Sequence, residues 1–266
     1  MPAAISLITL LTDFGDRDYF VASMKGVILN INPQARIVDL SHQVAAHQIE
    51  DAAYVLQSSY RYFPDGTVHV VVVDPGVGSA RRPLLVTTSR YFFLAPDNGL
   101  LTPIIQDELS VEVRQIENKQ YRLDAEGATF DGRDLFAPAA AWLTRGQAPG
   151  SFGRLIRDAG MFSAQEPAWE GSTFIGRIVY VDHFGNLIAN ITPSHLAEIR
   201  RYTKRSSVSI RIAGIGIEDL TMSYADGSSD APHALINSNG HLEIFIKEGN
   251  AAQMLKLGRG ARIEIT

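Results

Sequence analysis

Two kinds of hydrophobic spacing alternate along residues 1–150. Short runs of apolar residues, rich in valine and isoleucine, are typical of strands buried on both faces. Apolar residues that recur every three or four positions are typical of helices. The runs predict strands at Ile5–Leu11, Ala35–Leu40, Val68–Val73, Leu84–Thr88 and Tyr91–Ala95. The spaced pattern predicts helices at Asp16–Asn32, Ile49–Tyr60 and Gly132–Arg145. Non-alternating strands separated by helices predict an α/β domain with a mainly parallel sheet covered on both faces.

The pattern changes after residue 150. Residues 150–172 are rich in Gly, Pro and Ser and are interpreted as a linker. The remainder predicts short strands separated by turns, at Thr173–Val181, Ser207–Ile215, Ala234–Asn237, His241–Lys247 and Ala261–Ile265. One brief helix is predicted near Asn250–Leu257. The prediction is therefore two domains, an α/β domain at 1–160 and a small antiparallel β-barrel at 170–266.

Composition narrows the class of protein. The 266 residues are 45% hydrophobic and 20% charged, with a net charge of −5, which argues against a nucleic-acid binder. The absence of cysteine excludes disulfides, thiolate metal sites and cysteine nucleophiles, and it fits a reducing cytoplasm. The apolar N-terminal run is interrupted by Asp13 and has no preceding basic residues, so it indicates a buried strand. We expect a cytoplasmic protein without membrane or nucleic-acid partners.

Three predicted strands end in aspartate followed closely by glycine. These are Asp13 in LLTDFGD, Asp74 in VVVVDPGVG and Asp97 in FFLAPDNG. Ligands of open parallel sheets bind outside the carboxyl ends of the strands, so three such carboxylates favour one shared pocket. The alternative is that they are turn residues or helix caps.

A carboxylate at a strand end can bind a metal, accept from ribose hydroxyls or act as a base. TDFGDRD superficially resembles the calcium loop of nucleoside hydrolases, but Phe14 and Arg17 occupy places where oxygen ligands are needed. The sequence contains no HxH or HxxxH pair, no GxGxxG and no Walker loop. We therefore expect no metal site and no cofactor, with a metal-dependent nucleosidase kept as an alternative.

Six motifs carry a resemblance to a known family. They are TDFGDRDYFVASMKG, VHVVVVDPGVGSARRPL, APDNGLLTP, TFDGRDLFAPAAA, DHFGNLIANI and NSNGHLEI followed by GNAA. In order and spacing the chain resembles the adenosine-forming S-adenosyl-L-methionine (SAM) hydrolases, also called SAM hydroxide adenosyltransferases, which are related to fluorinase and chlorinase. The resemblance implies an N-terminal α/β domain and a C-terminal β-barrel. It also implies SAM as the small-molecule substrate and a homotrimer with active sites between neighbouring subunits.

The resemblance implies catalytic roles for Asp74 and Arg81, two members of the family's Asp-Arg-His group. The histidine belongs to a Phe-His-Gly-Arg-Asp motif, which here reads Phe130-Asp131-Gly132-Arg133-Asp134. Asp131 thus stands where the family has histidine, and its alternative role is a helix N-cap. The halogenating relatives carry Tyr-Pro where this chain has Asp74-Pro75, so the chain resembles the hydrolase branch.

The resemblance also implies substrate contacts. Asp13 is expected to accept from the ribose diol, and Asn98, at the third strand end, is also expected to contact substrate. Contacts to the methionine part are assigned to Asp18, Ser238, Asn239 and Glu243. Contacts to adenine are assigned to Phe184, Asn186, Tyr224, Asn250 and Ala251. The alternatives are barrel packing for Phe184 and Tyr224 and a turn role for Asn186.

The expected reaction is in-line attack of water on C5′ of the sulfonium, giving adenosine and L-methionine without metal or covalent intermediate. Positioning supplies much of the acceleration, and Asp74 is the expected base. A non-catalytic protein that binds SAM or adenosine is the second alternative, because the family histidine is missing from the FDGRD motif.

Overall fold

The computed structural model describes residues 6–163 and 165–266. The chain divides into two compact units, Met1–Phe162 and Ser163–Thr266, which are described in turn. Ile5, the first residue of the first predicted strand, lies outside the described residues. Within the described ranges, no helix is long and apolar enough to cross a membrane.

The first unit contains a six-stranded sheet. Its strands are β1 (Leu7–Thr12), β2 (Arg36–Ser41), β3 (Val68–Val72), β4 (Pro83–Thr87), β5 (Phe92–Pro96) and β6 (Glu112–Gln115), in the order β2-β1-β3-β5-β4-β6. The first four strands in this order pair in parallel, which confirms the predicted mainly parallel sheet. β4 pairs antiparallel with β5 and with β6. The connection between β4 and β5 is too short for the crossover that a parallel pair needs.

Helices cover both faces of this sheet. They are α1 (Phe20–Ile31), α2 (Ile49–Ser59), α3 (Thr102–Asp107) and α4 (Ala137–Thr144). Residues of α1 and α4 pack in one buried cluster with Val68, Val70 and Val72, and those of α2 and α3 pack in another with Val71 and Val73. Alternate valines of the run thus face opposite layers, which explains why the whole run is apolar.

One predicted helix begins later than expected, and a second begins at the expected residue with a different helical geometry. The helix predicted from Asp16 begins at Phe20, and the preceding loop takes a turn at Gly15, whose φ is 65°. The helix predicted from Gly132 begins with a π-helical turn at Gly132–Phe136 and continues as α4.

The second unit is an antiparallel sheet of eight strands. They are β7 (Ala168–Glu170), β8 (Thr173–Val181), β9 (Leu187–Ala189), β10 (Ser209–Ile212), β11 (Ile215–Glu218), β12 (His233–Ile236), β13 (Leu242–Phe245) and β14 (Arg262–Ile265). The order is β11-β10-β14-β8-β9-β13-β12, with β7 beside β8. Just after β11, the Thr221 backbone N–H donates to the Ala234 carbonyl of β12 at 2.8 Å, so the sheet nearly closes into a barrel. The predicted barrel-like antiparallel architecture is confirmed.

Two helices belong to this unit, α5 (Pro193–Thr203) and α6 (Ala251–Leu255). The prediction of a single brief helix was wrong, because α5 was not predicted. Its signals are present in the sequence: Thr192 caps the helix, Pro193 occupies the first turn, and Leu196 and Ile199 bury one face.

Candidate active site

A buried cluster of two carboxylates and one guanidinium lies beyond the end of β3. Arg81 Nη2 contacts Asp74 Oδ2 in a short hydrogen bond and donates to Asp131 Oδ2 at 2.6 Å. The exposed fractions of the Asp74, Arg81 and Asp131 side chains are 5%, 10% and 16%. The structure therefore brings together the three residues predicted to be catalytic.

The loop between β3 and β4 returns Arg81 to the strand end. The Val77 N–H donates to the Asp74 carbonyl at 3.2 Å, and the Ser79 N–H donates to the Gly76 carbonyl at 3.1 Å. These two successive turns reverse the chain, and the Ser79 hydroxyl then accepts from the Arg81 N–H at 3.2 Å. The Arg81 guanidinium carbon lies 5.6 Å from the ring centre of Phe136, which supports its cationic plane from one side.

Two polar atoms of this cluster are buried without a hydrogen-bond partner within residues 6–163 and 165–266. They are Asp74 Oδ1 and Arg81 Nε. Buried polar atoms are nearly always paired, so an acceptor and a donor left unpaired in one cluster mark a place for a ligand or water. Asp74 Oδ1 can accept a proton from water, and Arg81 Nε can donate to an oxygen.

Asp131 is held by charge. It directly precedes the π-helical turn but makes no side-chain cap hydrogen bond, so the N-cap alternative for this residue is wrong. Besides its bond to Arg81, Asp131 has a second oxygen, Oδ1, that lies 4.0 Å from Nη2 of Arg122. The Arg122 side chain is more exposed than that of Asp131. Asp131 therefore belongs to the charged cluster beside Asp74.

The ends of β1 and β5 carry the other predicted residues of the first unit. Asp13 directly follows β1, and its Oδ2 accepts from the His47 backbone N–H at 2.9 Å. Asp18 is exposed in the loop before α1. Asn98 donates through Nδ2 to the Val73 carbonyl at 2.9 Å, so its amide holds the backbone that precedes Asp74.

The third carboxylate of the strand-end pattern has structural partners. Asp97 accepts from Arg82 Nε at 2.7 Å and from the Gly160 backbone N–H at 2.6 Å. Of the three strand-end aspartates, Asp97 is therefore engaged in holding the chain segment around Gly160.

In the second unit, a tight turn at residues 182–186 presents Phe184 and Asn186. Asp182 Oδ1 accepts from the backbone N–H groups of both residues, at 2.9 and 2.8 Å, and its Oδ2 accepts from the Asn186 amide at 3.0 Å. Phe184 is 72% exposed, so it is not a packed residue of the barrel within its own unit. Asn186 is buried and fixed by the turn, which agrees with its turn alternative.

Gly185 joins this turn to the start of α6. It has a φ of 84°, and a Cβ placed on it would lie 2.1 Å from Cγ of Asn250. Asn250 caps α6 by accepting from the Gln253 N–H at 2.7 Å, and Ala251 is fully buried behind it. The Ala252 N–H donates to the Gly185 carbonyl at 2.8 Å, so the two loops form one surface.

A second polar group of this unit surrounds Glu243 on β13. Glu243 is 3% exposed and accepts from the Tyr224 hydroxyl at 2.7 Å and from Asn237 Nδ2 at 3.1 Å. Burial and the hydrogen bond to the Glu243 carboxylate raise the pKa of Tyr224 above its ordinary value, and the Asp182 charge acts in the same direction. Tyr224 is thus fixed as a neutral hydroxyl. Its ring packs against Phe245 with 5.0 Å between ring centres, so the packing alternative accounts for the ring but not for the hydroxyl.

Ser238 and Asn239 are exposed at the tip of the β12–β13 hairpin. Asn237 shapes this tip, because its Oδ1 accepts from the N–H groups of Asn239 and His241, both at 3.0 Å. Asn237 and Asp182 were not among the predicted residues. The signal for both is an Asx turn, in which the side chain accepts from backbone N–H groups two or more residues ahead.

No three His, Asp or Glu side chains converge as a metal site in the part of the chain that the structure describes. The fold and site together define a protein with an α/β unit, a barrel-like unit and a buried aspartate–arginine–aspartate cluster at a strand end. The chain belongs to the SAM hydroxide adenosyltransferase family. Residues 8–153 match its N-terminal domain, and residues 176–264 match its C-terminal domain. The resemblance stated from the motifs is confirmed.

Individual relatives agree with this family. The chain is 33% identical to (R)-S-adenosyl-L-methionine hydrolase of Methanocaldococcus jannaschii, with 98% of this chain and 96% of the relative covered. It is 27% identical to a fluorinase of an Actinoplanes species, over 98% and 97% of the two chains. The crystal structure of an uncharacterized conserved protein from Thermotoga maritima superposes with a TM-score of 0.87 at 33% identity, covering 97% of this chain and 99% of that one.

Proposed function

We propose that this protein hydrolyses S-adenosyl-L-methionine to adenosine and L-methionine. The observation that carries the proposal is the unpartnered, buried Asp74 Oδ1 beside Arg81, in a chain of the SAM hydroxide adenosyltransferase family. The named SAM hydrolase from Methanocaldococcus jannaschii, which aligns over nearly the full length, supports the same reaction.

In the proposed step, a water oxygen attacks C5′ of the substrate in line with the C5′–S bond. The C5′–O bond forms, the C5′–S bond breaks with its electron pair on the methionine sulfur, and the water proton passes to Asp74. Because the leaving group is a neutral thioether, positioning of the water supplies much of the acceleration. Arg81 orients Asp74 and also bonds Asp131 through the same nitrogen. The positive charge of Arg81 is therefore divided between the two carboxylates, and Asp74 is only partly neutralised.

We assign the remaining predicted residues to substrate binding. Asp13 is proposed to accept from the ribose hydroxyls, and Asp18, Ser238, Asn239 and Glu243 to bind the methionine part. Phe184, Asn186 and Tyr224, with the backbone at Asn250 and Ala251, are proposed to bind adenine. The exposed Phe184 ring and the fixed Tyr224 hydroxyl support these roles. For Asn98, the bond to Val73 supports a role in holding the strand end near Asp74.

Four further proposals rest on family membership or on the sequence pattern. They are a homotrimer whose active sites lie between neighbouring subunits, a cytoplasmic location, catalysis without a cofactor, and two domains at 1–160 and 170–266. The sharing of sites between subunits can be tested by mixing Asp74→Asn with Glu243→Gln, each of which is expected to lose most activity alone. Sites shared between subunits regain activity on mixing, whereas sites within one chain do not.

The test of the reaction is incubation with SAM in ¹⁸O-labelled water, with separation of the products. We expect adenosine labelled at the 5′ oxygen together with unlabelled methionine. Asp74→Asn is expected to lower turnover about 10²–10⁴-fold, the usual loss for a general base. Asp158→Asn, which alters an exposed aspartate paired with Arg82, is the matched control and should keep wild-type turnover.

The other outcomes identify the alternatives. Tight SAM binding without turnover would identify a binding protein, and activity lost on chelation would identify a metal-dependent nucleosidase. Wild-type turnover by Asp74→Asn would remove Asp74 as the base.

A further inference from the structure

The loop that follows β2 is hydrogen-bonded to the loop that follows β1. The Gly15 N–H donates to the His42 carbonyl at 2.8 Å, and the His47 N–H donates to Asp13 Oδ2 at 2.9 Å. Between these two bonds, the Phe14 N–H donates to the Thr12 hydroxyl at 3.2 Å. The backbone around Asp13 is therefore fixed from both sides by residues 42–47.

A chain of polar side chains, buried at Thr12 and His42 and more exposed at Asp39 and Lys25, supports the same point. Thr12 Oγ1 lies 2.8 Å from His42 Nδ1, and His42 Nε2 lies 3.1 Å from Asp39 Oδ1. Asp39 Oδ2 in turn accepts from Lys25 Nζ at 2.5 Å. Thr12 is fully buried and the His42 side chain is 5% exposed, so this chain runs from the α1 surface to the end of β1.

The partners define where the protons lie. The Thr12 hydroxyl accepts from the Phe14 N–H and still has its own proton to donate, and His42 Nδ1 at 2.8 Å is a nitrogen that can accept it. A neutral imidazole that accepts at Nδ1 carries its proton on Nε2, which faces the Asp39 carboxylate. The Thr12–His42 pair thus orients the threonine next to Asp13. His42 Nε2 lies within ion-pair distance of Asp39 but has no hydrogen-bond partner in the described residues.

We propose that His42 is a positioning residue for substrate binding, holding Thr12 and hence the Asp13 carboxylate in the orientation that receives the ribose hydroxyls. The proposal rests on the ribose role proposed for Asp13. A ribose contact is made equally in the bound substrate and in the transition state. Its loss therefore raises KM and leaves kcat almost unchanged.

The same strand supplies a matched reference. Thr9 Oγ1 lies 2.8 Å from His69 Nδ1, the same distance and the same atoms as in the Thr12–His42 pair. Both threonines are fully buried in β1, but Thr9 lies in the middle of the strand, away from the loop that carries Asp13. A purely structural role predicts equal effects for the two pairs.

The first experiment measures SAM kinetics and thermal stability for four variants. We expect Thr12→Val and His42→Gln to raise KM about tenfold with kcat within about twofold of wild type. His42→Asn keeps an acceptor at the Nδ1 position and should retain a KM near that of wild type. Thr9→Val should lose stability comparably to Thr12→Val without a change in KM. Equal KM values for Thr12→Val and Thr9→Val, or for His42→Gln and His42→Asn, would overturn the proposal.

The second experiment follows amide hydrogen exchange in the substrate-free protein. Exchange at Phe14, Gly15 and His47 should be at least about fivefold faster in His42→Gln and unchanged in Thr9→Val. Unchanged exchange in His42→Gln overturns the proposal whether or not the wild type is active. If the wild type does not hydrolyse SAM, the proposed function fails while the exchange measurement still decides whether His42 orders this loop.

Discussion

At the scale of single residues, the chemistry depends on how the positive charge of the Arg81 guanidinium is divided between two carboxylates. Arg81 bonds Asp74 and Asp131 through the same nitrogen, so the two carboxylates compete for one cation. Asp74, Asp131 and Arg81 together have two negative charges and one positive charge. Arg122 lies 4.0 Å from Asp131, the more exposed of the two carboxylates. Such a group attracts a sulfonium cation and leaves Asp74 incompletely neutralised.

Replacing Asp131 tests this division of charge. In Asp131→Asn, Arg81 pairs with Asp74 alone, and we expect kcat to fall about ten- to hundredfold with little change in KM. Asp131→His should lose less, because an imidazole can accept from Arg81 and is itself a base. Steady-state kinetics with SAM measures both. Asp107→Asn, an aspartate paired with Arg61 on the surface, serves as the control. A kcat of wild-type size in Asp131→Asn would show that Asp131 has no part in the reaction.

The sequence could predict some of these residues and not others. Asp13 and Asp74 follow apolar strands, so their positions at strand ends were predictable from the pattern alone. Arg81 and Asp131 required the family resemblance, because loop geometry brings them to Asp74 from distant positions. His42 could not be predicted, since its role arises only from contacts formed in the folded chain.

At the scale of elements, the turn at residues 182–186 depends on one glycine. Gly185 has a φ of 84°, and its Cα faces the Asn250 side chain so closely that a Cβ would overlap it at 2.1 Å. Asn250 is also the N-cap of α6. A side chain at Gly185 would therefore strain the turn and displace the cap together.

Gly185→Ala is expected to lower the free energy of unfolding by about 2–4 kcal/mol, from the left-handed backbone and the lost cap together. Gly214→Ala is the matched control, because Gly214 has a φ of 78° with no atom within 4 Å of the added Cβ. Gly214→Ala should lower the free energy of unfolding by about 1–2 kcal/mol, because only the left-handed backbone contributes. Urea denaturation measures both, and SAM affinity should fall only in Gly185→Ala. Equal losses of stability would show that Asn250 moves aside without cost.

Helices and strands were predicted correctly where apolar residues are regularly spaced. Prediction failed where contacts between distant segments determine the structure. The run Val68–Val73 predicted a buried strand because its alternate residues face two apolar layers. Leu84–Thr88 predicted a strand correctly, but its antiparallel direction follows from the short connection to β5. α5 was missed although Thr192 and Pro193 mark its start, because the surrounding segments are rich in strand residues.

At the scale of the whole molecule, the first unit buries a histidine in the centre of its sheet. His69 on β3 is fully buried and stacks on Phe93 at 5.0 Å, with the Tyr60 and Tyr91 rings edge-on around it. Thr9 is its hydrogen-bond partner. Burial lowers the pKa of the His69 imidazole to about 3, so the folded protein keeps it neutral well into the acid range.

This histidine makes the stability of the first unit depend on pH. Below the ordinary pKa of 6.5, the unfolded chain binds a proton at His69 that the folded chain cannot bind. The stability that is present above that pH is therefore lost as the pH falls towards 3, with a slope of about 1.4 kcal/mol per pH unit.

His69→Asn should remove this slope, because asparagine does not titrate and its carbonyl can accept from Thr9. Between pH 7 and pH 5 the wild type should lose about 2 kcal/mol more unfolding free energy than the variant, whatever their difference at pH 7. Urea denaturation followed by Trp142 fluorescence in a Trp169→Phe background reports on the unit that contains His69. His241, whose pKa burial also lowers, is present in both proteins and cancels in the comparison. Parallel pH profiles for the two proteins would show that the sheet opens enough to protonate His69 without unfolding.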